Sequence, residues 1–134
     1  MLCDLREAEL DGAHFSSARW VACALARTRL GRADLSEGRF VAVTLARADL
    51  QRASLTDAAF VLCSLAGTRL TAARVDGARF VASSLPGVDF TRARLERARF
   101  FLSSLRGAVF DRATGLDEDS FRLVWFPAPW PTAG

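Results

Sequence analysis

Acid–base chemistry near neutral pH is carried most readily by histidine, and the chain of 134 residues has one, His14. A general base works only with a partner in hydrogen-bond reach. No Ser-His-Asp set, Walker loop, glycine-rich phosphate loop or HExxH motif accompanies His14. Three thiols remain, Cys3, Cys23 and Cys63. An odd count without CxxC spacing reads as reduced thiols. The other charged groups are 18 Arg and 15 acids, a net charge of +3. That balance neither demands nor excludes a polyanionic partner. No catalytic residue, cofactor site or metal site is expected, and the expected class is non-enzymatic.

The elements that carry these residues follow from a repeat. Every fifth position from Leu5 through Trp20, Leu25, Phe40, Leu45, Phe60, Leu65, Phe80, Leu85, Phe100 and Leu105 to Phe110 is large and apolar. Two residues before each stands a small one, Ala, Gly, Thr, Ser, Cys or at most Val, and all three cysteines fall in that series. A period of five suits neither regular element. On an α-helix it smears the apolar residues around the cylinder, and on a long strand it reverses the face at each step. A short extended segment followed by a turn resolves this, because the large and small residues then point the same way.

A longer period gives the number of segments per coil. Trp20, Phe40, Phe60, Phe80 and Phe100 recur every 20 residues, as do Leu25, Leu45, Leu65, Leu85 and Leu105. Arg19, Arg39, Arg79 and Arg99 share one phase, interrupted by Ala59. Four pentapeptides therefore make a four-sided coil, with residues 20 apart stacked at about 4.8 Å. About five and a half coils make a rod about 26 Å long.

The units Ala33-Asp34-Leu35, Ala48-Asp49-Leu50 and Val88-Asp89-Phe90 resemble the pentapeptide-repeat family pattern A-(D/N)-L-x-x over roughly residues 3–113. The resemblance implies an all-β, right-handed quadrilateral β-helix. Residues 1–113 are expected to form it. Residues 114–126 are expected to form a short C-terminal helical cap: Thr114 or Asp117 suits its start, acids follow in the first turn, and Phe121, Leu123, Val124, Trp125 and Phe126 give it an apolar side. Residues 127–134 then form a Pro-rich tail, since proline ends a helix. No cap precedes the first repeat, so a neighbour or further chain is expected over that edge.

Inside, Leu and Phe columns should alternate with small residues that let four sides close around a narrow axis. His14 should lie outside and the cysteines inside as small core thiols. Glu9, Arg29, Asp49, Arg69 and Asp89 follow one another every 20 residues as a cross-strand charge ladder, serving register and solubility. One side should be uncharged along the rod except for Arg106 at its end: Val21, Val41, Val61, Leu62, Val81, Phe101 and Leu102, with Ala, Thr, Ser and Pro86 between them. Such patches mark contacts, and these residues are the candidate interface. The competing reading is that the tail folds back over them.

The expected role is a protein-interaction scaffold for a protein partner or a second copy. The resemblance adds an alternative. Some members of the family protect DNA gyrase or topoisomerase IV, type II topoisomerases, from quinolones or toxins by mimicking duplex DNA. Mimicry needs an acidic rod, since DNA carries a charge every ~1.7 Å, and the Arg-rich outer positions disfavour it. From 61 to 113 there are nine Arg and four acids, but no aromatic interleaving for base stacking, so nucleic acid is not the expected partner. The longest apolar runs are too short to span a membrane. With no leader-like segment, and with Lys, Asn, Ile and Tyr absent, the expected setting is a bacterial cytoplasm.

Overall fold

The computed structural model describes residues 3–122 and 124. They form a parallel β-solenoid with four sides per coil. Its first side is a six-stranded parallel sheet in chain order: β1 (Arg19–Val21), β2 (Arg39–Val41), β3 (Ala59–Val61), β4 (Arg79–Val81), β5 (Arg99–Phe101) and β6 (Phe121–Arg122). The other three sides are held by single-residue bridges between successive coils. These run through Ala24, Thr44 and Ser64 on the second side, Arg29, Asp49 and Arg69 on the third, and Asp34, Ser54 and Arg74 on the fourth.

Each pentapeptide contributes one side and one corner. At three corners of each coil the N–H of the next small residue donates to the carbonyl of the large one, as from Ala33 to Leu30 at 3.0 Å and from Ala48 to Leu45 at 3.0 Å. The residue just before that donor lies in the left-handed region, as at Arg32, Arg47 and Ala72 with φ near 58°. This is the hydrogen bond and backbone sign of a type II turn. Where the middle position is Asp, its carboxylate caps the turn by accepting from the N–H two residues on: Asp34 from Ser36 at 3.0 Å, Asp49 from Gln51 at 3.1 Å and Asp89 from Thr91 at 2.9 Å. Aspartate recurs there because its short carboxylate reaches its own turn.

The core holds the predicted columns. Trp20, Phe40, Phe60, Phe80 and Phe100 are buried, as are Leu25, Leu45, Leu65, Leu85 and Leu105, while Leu5 in the first coil is half-buried against them. The rings stack nearly parallel, with centroids 4.6–4.8 Å apart from Phe40 to Phe100. The small partners Ala48, Ala58 and Ala98 are fully enclosed.

The C-terminal end differs from the expectation. No helix occurs in the described part of 114–126. Thr114 still pairs with Arg94 twenty residues back, but Phe121 pairs with Phe100, twenty-one back. The extra residue is Gly115, at φ +92°, where a Cβ would stand 2.4 Å from the backbone nitrogen of Glu96. This bulge shifts the large inward positions by one, so that Leu116 is buried and the Phe121 ring stacks on Phe100 at 5.3 Å. The acids that suggested a helix start instead close a turn. Asp117 N–H donates to Ser120 Oγ at 2.8 Å, and Asp119 N–H donates to the Asp117 carboxylate at 2.9 Å. Short polar side chains bind their own backbone in turns as readily as they cap helices. The expected Pro-rich tail at 127–134 lies outside the described residues.

Candidate interaction surface

On the first side the strands read RWV, RFV, AFV, RFV and RFF, with only the middle residue inward. The sheet therefore presents two rows along the rod. One is Arg19, Arg39, Ala59, Arg79 and Arg99, and the other is Val21, Val41, Val61, Val81 and Phe101. The chain then turns through Ala22, Ala42, Leu62, Ala82 and Leu102, all at φ of 50–56°. It next lays down the bridged row Ala24, Thr44, Ser64, Ser84 and Ser104. The uncharged strip expected as one flat side is thus a corner with part of the side on each flank. The sequence pattern showed that these residues recur together, but five-residue spacing does not say where the bend falls.

The structure brings the candidate interface residues together along this corner. Leu62 is 63% exposed and Leu102 52%, with Val21, Val41 and Phe101 also exposed and Val61 and Val81 half-buried. A shallow groove of about 410 Å³ runs here, lined by Leu62, Leu102, Ala82, Ser83 and Ser84 among others.

This corner is also built unlike the other three, which no simple pattern in the sequence announced. It lacks the turn hydrogen bond after Phe40, Phe60 and Phe80. Inward side chains replace it. The thiol of Cys63 donates to the carbonyl of Phe40 at 3.2 Å, Ser83 Oγ to that of Phe60 at 3.3 Å and Ser103 Oγ to that of Phe80 at 3.1 Å. The same hydroxyls accept from the coil before, Ser83 from the N–H of Cys63 at 3.1 Å and Ser103 from that of Ser83 at 3.3 Å. Buried backbone groups need partners, and Cys or Ser at this inward position supplies them. The only trace in the sequence is that Cys23, Cys63, Ser83 and Ser103 stand where the fourth side has Ala33, Ala53, Ala73 and Ala93. As a result the polar atoms beneath the corner bind one another rather than a visitor.

Charges occupy the remaining surface. The expected ladder is present as bridges from Glu9 through Arg29, Asp49 and Arg69 to Asp89, and Arg29 pairs with Glu9 at 3.7 Å. The Asp89 carboxyl is held below its ordinary value chiefly by the Thr91 hydroxyl, and that of Asp34 by the Ser36 hydroxyl and N–H. The Arg row on the sheet is the exception to alternation: Arg19 lies beside Arg39, and Arg79 beside Arg99. At Ala59 the row opens into a groove of about 590 Å³ between Arg39 and Arg79.

The one histidine lies on a different side from the thiols. His14 is exposed on the fourth side, its backbone bridged to Asp34. Cys23 and Cys63 are buried and Cys3 is half-buried, all as free thiols. Burial and the neighbouring Cys23 push the Cys3 thiol up to about 11, so it stays protonated at neutral pH and is a poor nucleophile. Among the described residues no three His, Cys, Asp or Glu side chains are placed to hold a metal ion. Among them, too, no helix is long and apolar enough to cross a membrane.

Four-sided parallel coils of five-residue units, with a Leu/Phe interior and Asp-capped turns, define a pentapeptide solenoid. The sequence profile of pentapeptide repeats matches residues 3–40, 23–60 and 63–100 in eight copies. The chain belongs to the pentapeptide repeat family. No curated protein matches its sequence. Among solved structures it is similar to a trypsin-treated form of QnrB1, described as a plasmid-mediated fluoroquinolone resistance protein. That likeness has a TM-score of 0.58 at 14% identity, over 95% of this chain and 92% of that one. It is also similar to Rfr23, a pentapeptide repeat protein from the cyanobacterium Cyanothece 51142, with a TM-score of 0.52 at 19% identity, over 90% of this chain and 85% of that one. At these identities the likeness is one of fold.

Proposed function

We propose that the protein is a non-enzymatic interaction scaffold whose corner between the first and second sides docks a protein partner. The observation that carries this is a continuous uncharged strip with exposed Leu62, Leu102 and Phe101 on a rod otherwise covered in charge. Contiguous exposed apolar surface on a soluble protein marks a contact. A rigid solenoid keeps such a strip straight and preformed, which lowers the ordering cost of binding. His14 stands on a different side from the thiols, and the Cys3 thiol beside Cys23 is a poor nucleophile.

The test is affinity capture by the full chain, followed by identification and reconstitution of the captured protein. Leu62→Arg with Leu102→Arg should abolish the reconstituted complex, and Asp49→Asn on the charged third side should leave it intact. Equal binding by both variants would remove the corner from the account.

A second reading, a type II topoisomerase as partner, draws on the fold likeness to QnrB1. The surface argues against DNA mimicry, because the sheet carries an Arg row where a DNA mimic needs phosphate-like charge. A gyrase supercoiling assay with a quinolone decides it: this account predicts no protection at saturating protein, and protection would install that partner.

A further inference from the structure

The Arg row on the first side is costly as it stands. Like charges in register on neighbouring strands repel, and Arg19 lies beside Arg39 and Arg79 beside Arg99. The third side avoids this by alternation, from Glu9 through Arg29 and Asp49 to Arg69. Arg39 and Arg79 are exposed, and among the described residues neither guanidinium forms an ion pair. Ala59 between them leaves the groove of about 590 Å³. Two coils separate the two arginines, about 10 Å at the strand spacing.

We propose that the first side binds an acidic amphipathic helix of a partner protein, laid lengthwise along the rod, with its carboxylates on Arg39 and Arg79 and its apolar edge on the row from Val21 to Phe101. The inference rests on the scaffold reading and adds the chemistry of the partner.

Backbone satisfaction selects a helix. The strands of this face are already bonded on both edges: Ala59 N–H donates to the Gly38 carbonyl and Arg79 N–H to that of Ala58, each at 2.9 Å. A visitor meets side chains but no open ladder, so its own backbone must be satisfied internally. The dimensions agree. Arg39 and Val41, outward on one strand, stand about 7 Å apart, within the width of one helix, about 10 Å. The helix pitch of about 5.4 Å is close to the coil spacing of about 4.8 Å. Helix residues i and i+7 are therefore about 10.5 Å apart and match Arg39 and Arg79. A residue between them, at i+3 or i+4, faces the gap over Ala59. From β1 to β5 the face runs about 19 Å, or about 13 helical residues.

Charge and apolar surface agree as well. The chain itself shows the row accepting a carboxylate: at the last coil Asp117 Oδ1 lies 3.7 Å from the Arg99 guanidinium. Beside the row Val21, Val41 and Phe101 are exposed. Glu37 and Asp57 line the groove too, before the Arg row in sequence where the valines follow it, and the Asp57 carboxylate lies over Gly77. These two acids repel a dense polyanion such as a nucleic-acid strand more than a helix with acids along one edge. Arg52 and Arg92 repeat the same spacing across Ala72 at the corner between the third and fourth sides. Gln51, Thr71 and Thr91 stand beside them, so that corner has the charge without the apolar row and serves as a matched control.

The probe is a fluorescein-labelled peptide of about 14 residues, with Glu along one helical edge, Leu along the next and Ala elsewhere. Its comparison is a scrambled peptide of the same composition. Anisotropy with the full-length protein at about 0.15 M salt should show the amphipathic peptide binding several-fold tighter. Arg39→Gln with Arg79→Gln should weaken it about tenfold. Ala59→Glu, which sets a carboxylate between the two guanidiniums and removes neither, should weaken it comparably. Arg52→Gln with Arg92→Gln, the same loss of charge at the same spacing, should not. Equal binding of the two peptides, equal losses from both Arg pairs, unchanged binding by either first-side variant, or no binding at all overturns the proposal. Tighter binding of an oligothymidylate of matched charge overturns it too. Leu62→Arg with Leu102→Arg reads the corner separately. If that pair abolishes a reconstituted complex while the probe fails to bind, the helix falls and the scaffold reading stands; the reverse result moves the contact from the corner to the sheet.

Discussion

At the scale of single residues, the aromatic column has one odd member. Trp20 is buried and its indole N–H has no hydrogen-bond partner among the described residues, while every later coil has Phe in its place. An orphaned buried donor costs about 1–3 kcal/mol. Trp20→Phe is therefore expected to keep or raise the melting temperature despite the lost ring volume, and a fall of several degrees would mean the indole is better satisfied than its surroundings show. The opposite holds at the small inward positions. Ala58 is fully enclosed, and Ala58→Leu should overpack the axis by about 1–3 kcal/mol, read as a clear drop in Tm. The capped turns give a pH dependence. The folded-state pKa values of Asp34 and Asp89 lie below the ordinary carboxylate value. Such groups stabilise the fold above the unfolded value, about 3.9, and that contribution is lost as pH falls through the folded value. Thermal stability should hold at neutral pH and decline as pH falls from about 3.9 through the folded value. Thr91→Val, which removes the main cause of the Asp89 shift, should make the acid decline shallower, and an unchanged acid profile would contradict this role for the turn caps.

At the scale of elements, the regular coils were legible because the five- and twenty-residue periods are steric requirements repeated in every unit. Leu45 and Ala48 could be placed inside, and Arg47 outside, from spacing alone. Three features escaped. The bulge at Gly115 breaks the period once, and a single glycine after Thr114 looks like any loop residue. The acids at 117–119 fit a helix start and an Asx turn equally well, because both bond a short carboxylate to a nearby N–H; only the strand β6 beyond them decides. The open corner escaped because its distinction lies in one missing hydrogen bond per coil. Gly115 now carries a prediction. Gly115→Ala must push its Cβ against Glu96 N or move the bulge. Hydrogen exchange at the N–H groups of Phe100 and Leu102, which donate to Ser120 and Arg122 at 2.7 and 3.0 Å, should accelerate, with exchange in the β2–β3 coils unchanged. Unchanged exchange at both would mean the last coil does not depend on the bulge.

At the scale of the whole molecule, the account rests on asymmetry. The third and fourth sides mix charge and the first carries a row of Arg, which keeps a stack of parallel strands soluble. One corner is uncharged from end to end and carries two exposed leucines that neither packing nor backbone geometry favours. A scaffold needs such a difference between its faces, since a uniform rod has no address. The most direct test is a photo-activatable cross-linking side chain placed at Leu62 and, as a control, at Asp49 on the charged side of the full-length protein in cells. The scaffold account predicts a discrete adduct with another protein from position 62 and none from position 49. Equal adducts from both positions, or adducts from position 62 with nothing but the chain itself, would contradict it.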